Sequence, residues 1–245
     1  MAELPRFFVP AGTLAGERVA VTGDAHHHLH SVLRLKVGAE LLLLDGTGAY
    51  CRGLLESIDR RMATVEVLER WQERERCCRL QLLQALPKGD KFELVLQKGT
   101  ELGVSTFQPL LSARTVSRPE RGRLERWQRI AGEAARQSRR PIVPEVGELL
   151  PLEAALARVT APLRLSLWEA GSRPLSEVLP PEAPEEVAVL IGPEGGLTED
   201  EVVLAAAAGF VPVHLGPRIL RTETAGLAIA AVLQYRYGDW QLAPA

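Results

Sequence analysis

Two methionines, three cysteines and few aromatics mark this chain of 245 residues, and no apolar run approaches the ~20 residues of a membrane span. Cys77 and Cys78 are adjacent and Cys51 stands alone, which leaves neither a disulfide framework nor a Cys-x-x-Cys metal pattern. The opening MAELPRFFVP lacks the charged-then-apolar order of a signal peptide, so a cytoplasmic location is expected. No internal repeat and no low-complexity tail are present. With 46% hydrophobic and 24% charged residues, the chain has the composition of an ordinary globular protein, long enough for one large domain or two modest ones.

The net charge of −2 hides a local asymmetry. Between Arg114 and Arg140 lie nine arginines (Arg114, Arg118, Arg121, Arg123, Arg126, Arg129, Arg136, Arg139 and Arg140) against Glu120, Glu125 and Glu133, an excess of six positive charges. A solvated helix face with Glu–Arg pairs would account for some of them. An all-arginine excess points instead to RNA or phosphate, because the planar guanidinium fork grips phosphate and stacks on bases.

The first seventy residues contain short apolar or alternating runs at Val19–Gly23, Ala39–Gly48, Ala49–Ile58 and Ala63–Arg70, with a DGTG hairpin signal at Asp45–Gly48. They predict a compact β-barrel. Between the first two, Asp24–Gly38 opens on an N-cap residue and ends on glycine, with Leu29, Val32, Leu33 and Val37 near helical spacing, which predicts one short helix. Beyond the charged stretch at Trp71–Arg79, strands at Leu80–Leu86, Val104–Leu111, Leu163–Ala170, Glu186–Gly196 and Val211–Gly216 are expected to alternate with helices. Those helices are expected near Asp90–Leu102, Arg121–Gln137, Thr198–Ala208 and Thr222–Tyr237. Such alternation implies a mainly parallel sheet covered on both faces, and places the domain boundary near residue 72.

Two glycine turns, IGPEGG (Ile191–Gly196) and the LGPRILRTETA that starts at Leu215, each follow a strand-like run and lead into a helical pattern. Loops of this kind at neighbouring strand ends build a small-molecule pocket. The first is not a P-loop, since no Lys-Ser/Thr follows its glycines, nor a dinucleotide fingerprint, which belongs on the first strand of its sheet. Thr198 with Glu199, Asp200 and Glu201 reads as a capped helix start. His26, His27, His28 and His30 raise the question of metal. His26 and His30 share a helix face, but no second ligand cluster completes a site, and an exposed helix reaching RNA with Arg34 and Lys36 is the preferred reading.

The combination of RFFVP (Arg6–Pro10), HHHLHSVLRLKVG, KGDKFELVLQKGTELGV (Lys88–Val104), GPEGG and LGPRILRTETA resembles the RsmE family along nearly the whole chain. These SPOUT-class methyltransferases modify N3 of a uridine in 16S ribosomal RNA. The resemblance implies a PUA-like RNA-binding barrel over residues 1–72 and, over 73–245, an α/β SPOUT domain with a parallel sheet ending in a trefoil knot. It also implies S-adenosylmethionine as cofactor, a homodimer, and 16S rRNA or the small subunit as partner, with no metal and no membrane. Carried onto this chain, the cofactor residues are Leu167, Trp168, Glu169, Ile191, Gly192, Pro193, Gly195, Gly196, Leu215, Gly216, Ile219, Leu220, Arg221 and Thr222.

Making a uridine N3 nucleophilic requires a proton acceptor, stabilisation of charge on O2 and O4, or alignment. Arg221 and Arg6 are the expected charge-stabilising or positioning residues, with Arg114 a further candidate, and Glu223 or Glu194 is the possible base. The RNA surface is expected to include Arg6, His27, Arg34, Lys36, Arg114, Arg118, Arg136, Arg139 and Arg140. The RTETAGLA segment, in place of the SLN-type ending of ribose 2′-O methyltransferases, favours a base nitrogen as acceptor. A non-catalytic ribosome-assembly factor and a SPOUT enzyme acting on tRNA are the alternatives.

Overall fold

The computed structural model describes residues 4–75, 78–117, 122–170 and 172–240. Arg118, Arg121 and Cys77 lie outside them. Two compact units emerge, one of Met1–Glu75 with Arg139–Val143 and one of Arg76–Ser138 with Pro144–Ala245. No helix among the described residues is long and apolar enough to cross a membrane.

In the first unit, five strands run β1 (Arg6–Phe8), β2 (Arg18–Val21), β3 (Glu40–Leu44), β4 (Ala49–Ile58) and β5 (Ala63–Gln72). Their spatial order is β1-β3-β4-β5-β2, with β1 parallel to β3 and the other pairs antiparallel. Two register shifts in β4, between Arg52 and Gly53 and between Leu55 and Ser57, bend the sheet. Phe7, Val19, Val21, Leu41, Leu43, Leu55 and Val65 fill the core it encloses. β1 is too short to carry a period of its own, so its three residues gave no strand signal.

The expected helix of this unit is shorter than its spacing predicts. It comprises α1 (Gly23–His27) and a π-helical turn (His28–Val32), and the chain then turns at Arg34, whose φ of 50° is left-handed. Leu29 is buried, whereas Val32 (60% exposed) and Val37 (61%) face outward with Leu33. The periodicity failed here because the wider π turn rotates later residues off the face that Leu29 occupies. His26 is itself buried, its Nε2 2.9 Å from the Asp59 carbonyl and its ring stacked on His30.

Residues 139–143, which the boundary near residue 72 did not anticipate, complete this unit. Thr47 bridges Ile142, and the Gly48 N–H donates to the Pro141 carbonyl at 3.1 Å. Arg140, expected on an RNA surface, is 8% exposed and closes a bidentate pair on Glu75, with Nε–Oε1 and Nη2–Oε2 both 2.7 Å. That expectation is corrected, because a guanidinium enclosed by a carboxylate has no fork left for phosphate. Arg140→Met should destabilise the protein by about 2 kcal/mol in a denaturant titration, since it strands the Glu75 charge; an unchanged midpoint would contradict this.

The second unit carries an all-parallel sheet of eight strands: β6 (Arg79–Ala85), β7 (Thr106–Leu111), β8 (Glu145–Val146), β9 (Leu150–Pro151), β10 (Leu163–Leu167), β11 (Arg173–Pro174), β12 (Glu186–Ile191) and β13 (Val211–His214). Their order is β11-β13-β10-β12-β6-β7-β8, with β9 also on β7. Helices α2 (Lys91–Glu101), α3 (Arg123–Gln137), α4 (Leu152–Ala157), α5 (Leu175–Val178), α6 (Glu199–Ala207) and α7 (Thr222–Tyr237) cover it.

Strand alternation divides the core in two. Leu80, Leu82, Val187, Val189 and Ile191 pack with Phe92, Trp127, Ile229 and Leu233 of α2, α3 and α7. Leu83, Ala85, Ala188 and Leu190 pack with Leu152, Leu156 and Ala205 of α4 and α6. The small residues of α7 are spent inside this unit. Ala225, Gly226 and Ala230 are buried, and a methyl on Gly226 would lie 3.3 Å from both Gln84 Oε1 and Leu82 Cδ2, so the helix rides close on the sheet.

Candidate active site

β12, β10 and β13 end level with one another. Leu167 pairs in register with Ile191 on one side and with Val213 on the other, all parallel, so the chain leaves the three strands at one edge of the sheet. A cavity of 590 Å³ opens there. All the residues named above for the cofactor line it, from Leu167, Trp168 and Glu169 through the Ile191–Gly196 turn to Leu215, Gly216, Ile219, Leu220, Arg221 and Thr222. Ile191, Leu197, Val213 and Ala225 give it a buried apolar floor, while Ile219, 80% exposed, stands at the rim with Arg218.

The glycine turn has a fixed shape for identifiable reasons. Gly196 is left-handed (φ 69°), and a methyl on Gly192 would sit 2.9 Å from the Leu197 nitrogen. After the turn, Thr198 and Glu201 form the expected capping box on α6. Glu201 does more than cap, because its Oε1 accepts the Ala113 N–H at 2.7 Å and draws the loop after β7 to the turn. Arg114 in that loop donates to the carbonyls of Gly195 (2.7 Å) and Leu197 (3.3 Å). It lines the cavity as a brace of the turn.

A buried relay joins the turn to α7. The Thr222 hydroxyl donates to the Gly192 carbonyl at 2.5 Å and accepts from Gln84 Nε2 at 2.8 Å. Arg221 is the N-cap residue of α7; no hydrogen bond or ion pair holds its exposed guanidinium among the described residues.

The two carboxylates named as possible bases meet a lysine. Lys91 Nζ lies 3.3 Å from Glu194 Oε1 and 3.5 Å from Glu223 Oε2. Glu194 lines the cavity and also accepts the Lys88 N–H at 3.0 Å. Partial burial pushes its carboxyl up, but the Lys88 amide and the Lys91 ammonium outweigh this and hold it below the usual carboxylate range. Glu223 is buried (8% exposed), does not line the cavity, and leaves Oε2 without a hydrogen bond.

The remaining named residues are dispersed. Arg6 stands on β1 in the first unit, where its charge acts on the Tyr50 phenol, which burial pushes up to about 12. His27, Arg34, Lys36 and Arg139 are exposed in that unit, and Arg136 is exposed on α3 in the second. Gln84, Lys88, Lys91 and His214 carry no site role in the sequence pattern, and Glu201 reads there only as a helix cap. The KGDK run contains Lys88 and Lys91 but carries no chemistry by itself.

A family model described as the RNA methyltransferase domain matches residues 73–234, and one described as the RNA methyltransferase PUA domain matches residues 21–68. Ribosomal RNA small subunit methyltransferase E of Synechocystis sp. is 41% identical over 212 residues, 84% of this chain and 69% of the relative. This chain belongs to the ribosomal RNA small subunit methyltransferase E family. The Bacillus subtilis member is 34% identical over 230 residues, 89% of this chain and 90% of the relative. Among solved structures, the methyltransferase E of Neisseria gonorrhoeae bound to S-adenosyl methionine superposes with a TM-score of 0.86 at 34% identity, covering 97% of this chain and 100% of that one. A Legionella pneumophila methyltransferase in complex with the same cofactor gives 0.83 at 31%, covering 95% and 98%. This chain has a PUA domain followed by an α/β methyltransferase domain.

Proposed function

We propose that this protein transfers methyl from S-adenosylmethionine to N3 of a uridine in 16S ribosomal RNA. The observation that carries the reading is the cavity at three level strand ends, lined by every residue the resemblance assigned to the cofactor. The residues present fit that group. An apolar floor suits the purine, side-chain-free turn backbone suits ribose and amino-acid contacts, and a cavity of this volume is ordinary for a cofactor of this size. When bound, S-adenosylmethionine supplies a methyl already activated on a sulfonium, so the chain needs no metal to generate an electrophile.

What falls to the protein is the uridine. Arg221, at the cavity with no side-chain partner among the described residues, stabilises the negative charge that appears on O2 or O4 as the N3 proton leaves. Glu223 is turned to Lys91, and Glu194 is a weakened base for the same reason, so neither is the favoured acceptor. The proton goes to water once Arg221 has lowered the cost of losing it. Exposed Arg6, His27, Arg34, Lys36, Arg136 and Arg139 hold RNA by phosphate contacts, and the PUA domain recognises RNA shape.

The last strand, β13, lies outside β10, yet α7 returns across β12 and β6 to pack on α2. That crossing supports a trefoil knot. Exposed Leu94 on α2 with Val232 and Tyr235 on α7 supports a homodimer through these helices.

Mass analysis of ribosomal and transfer RNA from a deletion strain tests the function. One methyl should vanish from a small-subunit uridine and return with the wild-type gene. Loss confined to transfer RNA would overturn the substrate.

A further inference from the structure

Lys91 occupies the first position of α2, where a cation opposes the helix dipole, yet it is held there by two carboxylates from distant parts of the chain. Among the described residues it is the one cation paired with either Glu194 or Glu223. Two carboxylates against one ammonium leave this three-residue cluster one negative charge in excess. Glu223 Oε2 is buried without a hydrogen bond, so removing Lys91 would leave that oxygen uncompensated. Glu194 would keep the amides of Lys88 and of its own backbone, but no charged partner among the described residues.

We propose that Lys91 is a positioning residue for methyl transfer, clamping the Glu194 carboxylate in its charged form on the cavity wall as the counter-charge to the cofactor's cationic groups. The inference rests on the methyltransferase reading and deepens it by giving Glu194 an electrostatic role in place of proton transfer. The lowered ionisation of Glu194 agrees with the geometry. A carboxylate kept charged across the neutral and mildly acidic range opposes a sulfonium at constant strength, and in a partly enclosed site that attraction is screened less than at the surface.

Other charges face the same space. Arg114 reaches the Gly195 carbonyl from the loop after β7, Arg221 caps α7, and Glu169, His214 and Arg218 line the remaining wall. His214 Nδ1 accepts the Gly216 N–H at 3.2 Å, and all the compared variants keep this histidine. The informative quantity is therefore the difference between variants that share His214.

The test is titration calorimetry on the full-length protein, with S-adenosylmethionine and its neutral-sulfur product S-adenosylhomocysteine, from pH 5 to 8. Lys91→Met should weaken S-adenosylmethionine about tenfold at pH 7 and the neutral-sulfur product less. Its deficit relative to wild type should widen as pH falls, because an unclamped Glu194 takes up its proton at higher pH. Glu194→Gln should weaken the cofactor similarly but without the widening, and Lys91→Arg, which keeps the charge, should stay within about threefold of wild type and report that the site folds. Parallel pH curves for wild type and Lys91→Met, or wild-type affinity in Glu194→Gln, would overturn the clamp. Failure of the wild-type protein to bind S-adenosylmethionine would instead overturn the methyltransferase reading, and the clamp with it.

Discussion

Alanine at Arg221 should lower methyl transfer by roughly 10²- to 10³-fold while leaving cofactor affinity within about threefold. The guanidinium is exposed at the cavity with no partner among the described residues, so its removal breaks no ion pair and leaves no buried carboxylate behind. Stability should therefore change little. Its backbone, which starts α7, is kept by the substitution, so the walls of the cavity stay in place. The loss should fall on kcat, because the charge it meets exists only once N3 gives up its proton. Arg221→Lys should recover part of the rate, since an ammonium retains the charge and loses the fork. Turnover at the wild-type level in Arg221→Ala would remove this residue from the chemistry.

Gly192→Ala should have the opposite profile, with cofactor affinity falling about 100-fold, or ~2.7 kcal/mol, before any step on RNA is reached. The added methyl would lie 2.9 Å from the Leu197 nitrogen and 3.1 Å from the Gly196 carbonyl carbon, both backbone atoms of the same turn. The turn must open to admit it. Opening pulls the Gly192 carbonyl from the Thr222 hydroxyl and disturbs the hydrogen bond from Gln84 behind it, so the cavity wall and the start of α7 shift together. Overpacking of this kind costs about 1–3 kcal/mol in stability, a loss that a thermal melt measures separately from calorimetric binding. Undiminished affinity would mean that this turn is not the cofactor cradle.

Much of the α/β unit could be read from the chain because its signals are local. Thr198 and Glu201 specify a capping box within four residues, and the observed α7 coincides with the run expected at Thr222–Tyr237. The short barrel helix was misjudged for a local reason too, since the spacing of Leu29, Val32, Leu33 and Val37 does not reveal a π turn or the left-handed Arg34. The site was legible as far as its glycine turns reached. Glu194 and Glu223 could be named as acidic groups near those turns, but Lys91 belongs to a helix more than a hundred positions earlier, and no pattern of spacing couples them.

The order of strands and helices, the position of the two glycine turns and the family resemblance follow from the amino-acid sequence alone, because hydrophobic period, capping residues and glycine punctuation act over a few residues. Only the tertiary structure decided which charges remain available. Arg140 and Arg114 belong to the same arginine excess and look alike in the chain, yet one is enclosed by Glu75 and the other braces the carbonyls of Gly195 and Leu197. Arg221, with no such partner among the described residues, keeps its charge free at the cavity. The physical reason is that a guanidinium's partner, carboxylate or carbonyl, is set by distance in space, and partners 65 and 81 positions apart come together only when the chain has folded.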